Sequence, residues 1–274
     1  MTDSSTSTDP DRREKAAHQR PDSVATTQQK WTVEFPYSIA APSFVLPAGA
    51  AENAVFLADR FPEIALLFFE ADACLAYTEE DLPFTLADLP VSWHVHMPLD
   101  FEWSDGLDAV WRKIDGLIDK ATFLSPHAYV LHPPTEPDIL VPLAARLRDK
   151  GVDPADFLVE NIRGYSLPPI WDEMREGGYS ACLDIGHIQA YNQFDILDLP
   201  DLWCHVQMLH IYGAEKGMQH QSLSEMDKAG QDLLRTLLGN FTGRTLTLEL
   251  FNEHGLFQSL DLLGQWLSGW GDEQ

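Results

Sequence analysis

Eight short apolar runs, each followed by a longer stretch of different period, constrain what this chain can fold into. The strand-like runs cover residues 37–40, 64–69, 91–96, 129–132, 157–160, 181–184, 205–210 and 245–249. Between them lie helical patterns at 51–61, near Thr85, at 104–123, 138–150, 167–176, 224–238 and 256–266, with a helix or loop after His187. The 104–123 stretch is the clearest, with Leu107, Val110, Trp111, Ile114, Leu117 and Ile118 on one face. In the 51–61 stretch, Val55, Leu57 and Phe61 are available to pack. Eight strand–helix units in 274 residues is the count of an α/β (β/α)8 TIM barrel, which fills such a length as one domain. The barrel is expected over residues 31–274. Residues 1–30, rich in Ser, Thr, Asp and Gln with no apolar period, read as a disordered tail.

Such barrels build their sites at the C-terminal ends of the strands. Here seven of the eight runs end in a side chain able to bind a metal: Glu70, His96, His132, Glu160, Asp184, His210 and Glu249. A single His or Glu beside a strand end is commonly a cap or a surface residue. Recurrence around a whole barrel points instead to a divalent-metal centre. Glu160, Asp184, His210 and Glu249 are expected to hold one ion; His96, His132 and His187 would hold a second or contact substrate. In Cys182-Leu183-Asp184-Ile185-Gly186-His187 a buried strand delivers Asp184, a glycine turn follows, and His187 opens the next helix. The donors are oxygen and imidazole nitrogen without thiolate, which suits one or two ions of Zn, Mn, Fe(II) or Co. An ion there would activate water near neutral pH and polarise a phosphoryl or carbonyl oxygen.

Other residues surround this set. Arg163 reads either as a clamp for phosphate or carboxylate or as a surface ion pair. His94, two residues before His96 on the same strand face, reads as a supporting or substrate contact or as a core histidine. Tyr212 and His220 follow the seventh strand and are expected to line the pocket. His127 and His254 look like loop or helix-surface residues. Nucleotide-binding and hydrolase signatures of the types GxGxxG, GxxxxGK[ST] and GxSxG are absent, as is CxxC.

The net charge of −25 bears on partners. Residues 1–30 carry five basic and five acidic side chains, so the excess lies on the remainder, 13 basic against 38 acidic. A polyanion such as DNA would approach against that field, which favours a small-molecule substrate over a nucleic acid. Cys74, Cys182 and Cys204 lack paired spacing and read as buried thiols of a cytoplasmic protein. No apolar run is long enough to suggest a membrane partner.

Over roughly residues 35–270 the chain resembles the xylose-isomerase-like TIM-barrel superfamily, which includes endonuclease IV-type enzymes. The motifs are Leu131-His132-Pro133, Val159-Glu160-Asn161, Leu183-Asp184-Ile185-Gly186-His187, Leu209-His210-Ile211 and Leu248-Glu249. The resemblance implies metal ligands at His132, Glu160, Asp184, His187, His210 and Glu249, and at His96 as in the nuclease branch. That branch carries an Asp-x-His pair where this chain has Met218-Gln219-His220, so the aspartate is missing. A narrower likeness is to the cobamide-remodelling phosphodiesterases. It rests on the run from Ala41-Pro42-Ser43-Phe44 to Ala48, on Asn53 with Leu57-Ala58, on residues 64–69 closing at Glu70, and on His94-Val95-His96-Met97-Pro98-Leu99-Asp100. This likeness implies a corrinoid substrate cleaved at the phosphate–ribose ester, with Glu160, Arg163, His132 and His187 as the catalytic groups. His132 and His187 stand as ligands or leaving-group acids. A sugar isomerase or epimerase on the same metal-binding barrel is the alternative.

Overall fold

The computed structural model describes residues 37–271 apart from Met218. The tail expected over residues 1–30 lies outside the described residues. Strands β1 (Ser38–Pro42), β2 (Glu63–Leu67), β3 (Ser92–His96), β4 (Tyr129–Leu131), β5 (Phe157–Glu160), β6 (Ser180–Asp184) and β7 (Val206–Ile211) enter one closed sheet. Strands β8 (Ala214–Lys216) and β9 (Gln219–Gln221) form a separate antiparallel hairpin, and β10 (Thr245–Leu248) closes the barrel between β7 and β1. All eight barrel pairings are parallel. The helices are α1 (Ala50–Leu57), α2 (Ala71–Leu75), α3 (Leu107–Ala121), α4 (Leu140–Lys150), α5 (Trp171–Gly177), α6 (Ile185–Ala190), α7 (Leu202–His205), α8 (Lys228–Asn240) and α9 (Glu253–Gly271). This is the expected (β/α)8 barrel. Among the described residues no helix is long and apolar enough to cross a membrane.

Alternation along each strand sorts the side chains into two compartments. Ile64, Leu66, Trp93, Val95, Val159, Leu183, Leu209 and Leu248 point outward into the layer between sheet and helices. The alternate positions point inward. There Ala128, Val130, Leu158, Cys182 and Met208 form a separate apolar plug across the barrel axis. Buried polar groups sit on either side of it. His96, Glu160, Asp184, His210 and Glu249 come from the carboxyl ends of their strands, whereas Glu63 and Thr245 begin theirs.

Several local expectations change. Strand β2 stops at Leu67, so Glu70 is not a strand-end ligand; it precedes α2 and is solvent exposed. The apolar run continues past the strand because Phe68 is buried and Phe69 lies on the cavity rim. Helix α3 starts later than its pattern because Gly106 adopts φ 85°, which separates it from a short 3-10 turn at Trp103–Asp105. Pro168 likewise heads a 3-10 turn ahead of α5. Val55 is 59% exposed rather than packed, and Cys204 is exposed on α7, unlike the buried Cys74 and Cys182.

Candidate metal centre at the carboxyl end of the barrel

Four side chains from β3, β5, β7 and the end of β10 form the group with the most donors among the described residues. One donor atom each from His96, Glu160, His210 and Glu249 lies within 4.8 Å of all the others. His96 Nε2 is 3.3 Å from Glu160 Oε2 and 3.9 Å from Glu249 Oε1. His132 Nε2 is also 3.3 Å from Glu160 Oε2, and His210 Nδ1 is 2.8 Å from Glu160 Oε1 and 3.4 Å from Glu249 Oε2. Glu160 is therefore the hub. Asp184 groups with Glu160 and His187 rather than with the four. The structure thus brings together all seven positions expected at the metal, with His96 in the set of four in the place expected for Asp184.

The chain fixes these groups by local means. Asp184 caps α6, its Oδ1 accepting from the His187 backbone N–H at 2.7 Å. Asn161 ties β5 to β6: its side-chain oxygen accepts from Asp184 N at 2.9 Å, and its amide nitrogen donates to Asp184 O and to Gln193. Gly186 is not a turn glycine. It lies inside α6, where an added Cβ would come 2.1 Å from the Tyr212 ring. Gly186→Ala is therefore expected to cost about 1–3 kcal/mol by overpacking, a fall of roughly 2–4 °C in Tm per kcal/mol for a chain of this size. An unchanged thermal melt would show that the ring is not pressed there.

Three imidazoles share one orientation device. The Nδ1–H groups of His96, His187 and His220 donate to the carbonyls of Met97, Asn161 and Glu249 at 3.0, 3.0 and 2.9 Å. A carbonyl can only accept, so each ring turns its Nε2 lone pair toward the site, the arrangement typical of metal-binding histidines. Three buried carboxylate oxygens beside them have no hydrogen-bond partner among the described residues: Glu160 Oε2 and Glu215 Oε2 stand 3.3 Å from His96 Nε2 and 3.7 Å from His187 Nε2, and Asp184 Oδ2 lies 3.4 Å from His187 Nδ1. Buried acceptors opposed to lone pairs are costly unless a cation lies between them. Charge agrees with this. Burial pushes the Asp184 carboxyl up to about 7, against the pull of His187, and the Glu249 and Glu160 carboxylates add to the rise. Burial also opposes ionisation of Glu160, yet His210, His132 and His96 hold it well below the usual carboxylate range. Burial pushes the Cys182 thiol up to about 12, which leaves it neutral beneath His210 and outside the donor set. The residues fit a divalent ion bound through oxygen and imidazole nitrogen.

Above the cluster opens a cavity of about 990 Å3 lined by His96, His132, Glu160, His187, Glu249 and the lip residue Arg163. Arg163 makes no ion pair among the described residues; its guanidinium carbon stands 5.8 Å from the Tyr191 ring centroid. His220 lines the cavity as expected, but Tyr212 does not. Tyr212 is fully buried beneath His220, the two rings stacked 3.8 Å apart at 6°, because the pocket wall needs an apolar backing there. His94 is no substrate contact either. Two residues back along a strand is one layer deeper in a barrel, and His94 is fully buried with Nδ1 bonded to Glu63 at 2.7 Å. Glu63 also accepts from His127 Nε2 at 2.8 Å, so His127 belongs to this polar floor rather than to a loop surface.

Sequence reasoning missed Glu63, Tyr191 and Glu215. For Glu215 a signal existed: residues 214–221 carry a two-residue Gly217-containing turn between two short runs, a hairpin pattern that sets Glu215 opposite His220.

The fold has many relatives of known structure. A D-tagatose 3-epimerase-like protein superposes with a TM-score of 0.64 at 18% identity, over 86% of this chain and 99% of its own. A 3-keto-D-glucoside 4-epimerase from E. coli gives 0.60 at 12%, over 85% and 99%. A probable 3-DHS dehydratase from Bacillus anthracis gives 0.61 at 14%, over 82% and 98%. The chain shares the (β/α)8-barrel fold of these proteins. No protein-family model matches it, and no curated protein does.

Proposed function

We propose that this chain is a divalent-metal-dependent hydrolase that cleaves the nucleotide loop of a cobamide at the phosphate–ribose ester. The observation that carries the reading is where the motifs resembling the cobamide-remodelling branch come to lie. Phe44 of the 41–48 run, Leu67, Phe68 and Phe69 of the run closing at Glu70, and His96 and Leu99 of the 94–100 run all line the same cavity. Other residues of these motifs hold the wall in place. Asn53 accepts from Val45 N and Leu46 N at 2.8 Å, Ser43 Oγ accepts from Leu67 N at 3.0 Å, and Asp100 accepts from Ala71 N at 2.8 Å.

The cavity lining is mixed. Phe44, Phe69 and Leu99 present 42%, 39% and 60% of their surface, and the first two rings meet edge-on at 4.8 Å. The same cavity is lined by Gln219, Gln221, Ser222, Asn252 and Gln258. A lining that combines exposed aromatic and aliphatic side chains with several amides suits a bulky ligand that carries both a flat aromatic base and many amides. The volume lies at the upper end of the roughly 300–1,000 Å3 of ligand pockets. Arg163 places a cation without an ion-pair partner among the described residues on the lip of a strongly acidic protein, where it suits a phosphodiester; Lys216 also lines the cavity but pairs with Glu225 at 2.8 Å.

A divalent ion held by the carboxylate–imidazole group would supply Lewis acidity toward water and a phosphoryl oxygen. The side chains do the remainder. Arg163 clamps the non-bridging oxygens. His132, 21% exposed and lining the cavity, is the imidazole that would deliver a proton to the leaving group, because His187 spends its Nδ1–H on the Asn161 carbonyl. Water adds to phosphorus, the bond to the ribose oxygen breaks, that oxygen takes the proton, and the phosphate stays with the corrinoid. The test is to incubate metal-loaded protein with a complete cobamide and follow riboside and cobinamide phosphate by mass spectrometry. Both are expected, and both should disappear with a chelator.

One observation favours a second reading. Solved neighbours of this fold include sugar epimerases, and Glu160 and Glu249 could shuttle a proton beside a sugar carbonyl. Turnover of a ketose panel with no cobamide cleavage would select it.

A further inference from the structure

The β8–β9 hairpin carries a buried acceptor that the metal cluster leaves unused. Glu215 and His220 are directly opposed across its strands, so their side chains leave on the same face, and both line the cavity. The Glu215 side chain is only 8% exposed. One of its oxygens accepts from the Tyr191 hydroxyl, which anchors the carboxylate. The other, Oε2, has no hydrogen-bond partner among the described residues. His187 Nε2 stands 3.7 Å away, beyond hydrogen-bond reach, and His187 gives its Nδ1–H to the Asn161 carbonyl. Among the described residues, Glu215 also belongs to none of the groups whose donor atoms lie within 4.8 Å of one another. A buried carboxylate oxygen in this position needs a hydrogen-bond donor, and the cavity it lines is where a ligand brings one.

Tyr191 ties this oxygen to the cation on the cavity lip. Its ring faces Arg163, whose guanidinium carbon stands 5.8 Å from the centroid, and it tilts 36° against the His187 ring at 5.5 Å. Arg163 itself sits in a tight turn. Ile162 and Tyr165 exchange both backbone hydrogen bonds at 3.0 Å, Gly164 takes φ 80°, and Gln193 donates to the Ile162 carbonyl at 2.8 Å. One phenol ring therefore sets the spacing between a cation suited to phosphate and an acceptor suited to a hydroxyl. In a ribose phosphodiester those two groups sit on neighbouring ring carbons.

We propose that Glu215 Oε2 accepts the ribose 2′-hydroxyl beside the scissile ester and that Tyr191 positions the carboxylate for it, an inference that rests on the phosphodiesterase reading for the identity of the sugar. The hydroxyl donates and the carboxylate accepts. A sugar without that hydroxyl leaves Oε2 without a partner inside a filled cavity, and sites built to bind a hydroxyl reject such analogues strongly. The contact selects ribosides over deoxyribosides, which sets the substrate apart from DNA by more than charge.

Titration calorimetry of metal-loaded protein with a benzimidazole riboside and with its 2′-deoxy form reads the contact without turnover. Wild type should bind the riboside at least about 10-fold more tightly, as for one hydrogen bond to a charged group. Glu215→Ala should bind the two forms about equally. Tyr191→Phe, which keeps the ring beside Arg163 but releases the carboxylate, should lose part of the preference. A merely structural role would weaken both ligands alike and leave their ratio unchanged. Equal binding of the two forms by wild type, or binding of neither, overturns the contact. A preference that survives in Glu215→Ala also overturns it, and one that survives whole in Tyr191→Phe removes the positioning role. A preference that depends on Glu215, in a protein that cleaves no cobamide, upholds the sugar contact and overturns the phosphodiesterase reading instead.

Discussion

Glu160→Gln should abolish cobamide cleavage and empty the main metal position. Glu160 is 1% exposed, and its two oxygens are approached by His96, His132 and His210. The substitution preserves size and shape, but it exchanges an anionic oxygen ligand for a neutral amide that binds a divalent cation weakly. Loss of an outer hydrogen-bond partner of a metal ligand costs about 10–100-fold in affinity or activity, so loss of the hub should exceed about 100-fold in kcat/KM. Bound metal and turnover should fall together. Turnover lost with the metal load unchanged would make Glu160 a base rather than a ligand. Full activity would remove it from the site.

The other large effect is expected on stability, at the opposite end of the barrel. Glu63 is fully buried, receives His94 and His127, and accepts at 3.1 Å from Thr245 Oγ1. Burial alone would raise its pKa, but the hydrogen bonds from His127 and His94 outweigh that and hold the carboxyl well below the usual range. Glu63→Ala strands those donors and should cost about 3–5 kcal/mol, as for other broken buried pairs. A carboxyl depressed on folding stabilises the protein fully above the unfolded pKa of about 4.3 and loses that contribution as pH falls toward the folded value. The gap in Tm between wild type and Glu63→Ala should therefore be widest near pH 7 and narrow below about pH 4.3. A gap independent of pH would mean that packing, not the charged cluster, sets it.

The two ends of the barrel show what a sequence discloses. Glu160, Asp184, His210 and Glu249 were legible because a strand end in a parallel barrel has one fate, and these residues close runs whose alternation is unbroken. The same logic misplaced Glu70, since Phe68 and Phe69 prolong an apolar run past the point where β2 stops pairing. His94 and His127 were misread for a related reason. Period two says which face a residue takes but not how deep it sits, and the partner that holds both, Glu63, is 31 and 64 residues away in the chain. Glu215 lay in an insertion that strand–helix counting passes over. Its importance comes from an orphaned oxygen, a property that exists only once the chain is folded.

The most direct test is to run the cobamide reaction with metal-loaded protein in water enriched in oxygen-18. The account predicts one labelled oxygen in the phosphate of cobinamide phosphate and none in the released riboside, because water adds to phosphorus and the ribose keeps its own oxygen. Label in the riboside would contradict attack at phosphorus. An intact cobamide, with solvent deuterium entering a sugar carbon in a parallel ketose assay, would contradict the hydrolase reading and leave an epimerase on this barrel.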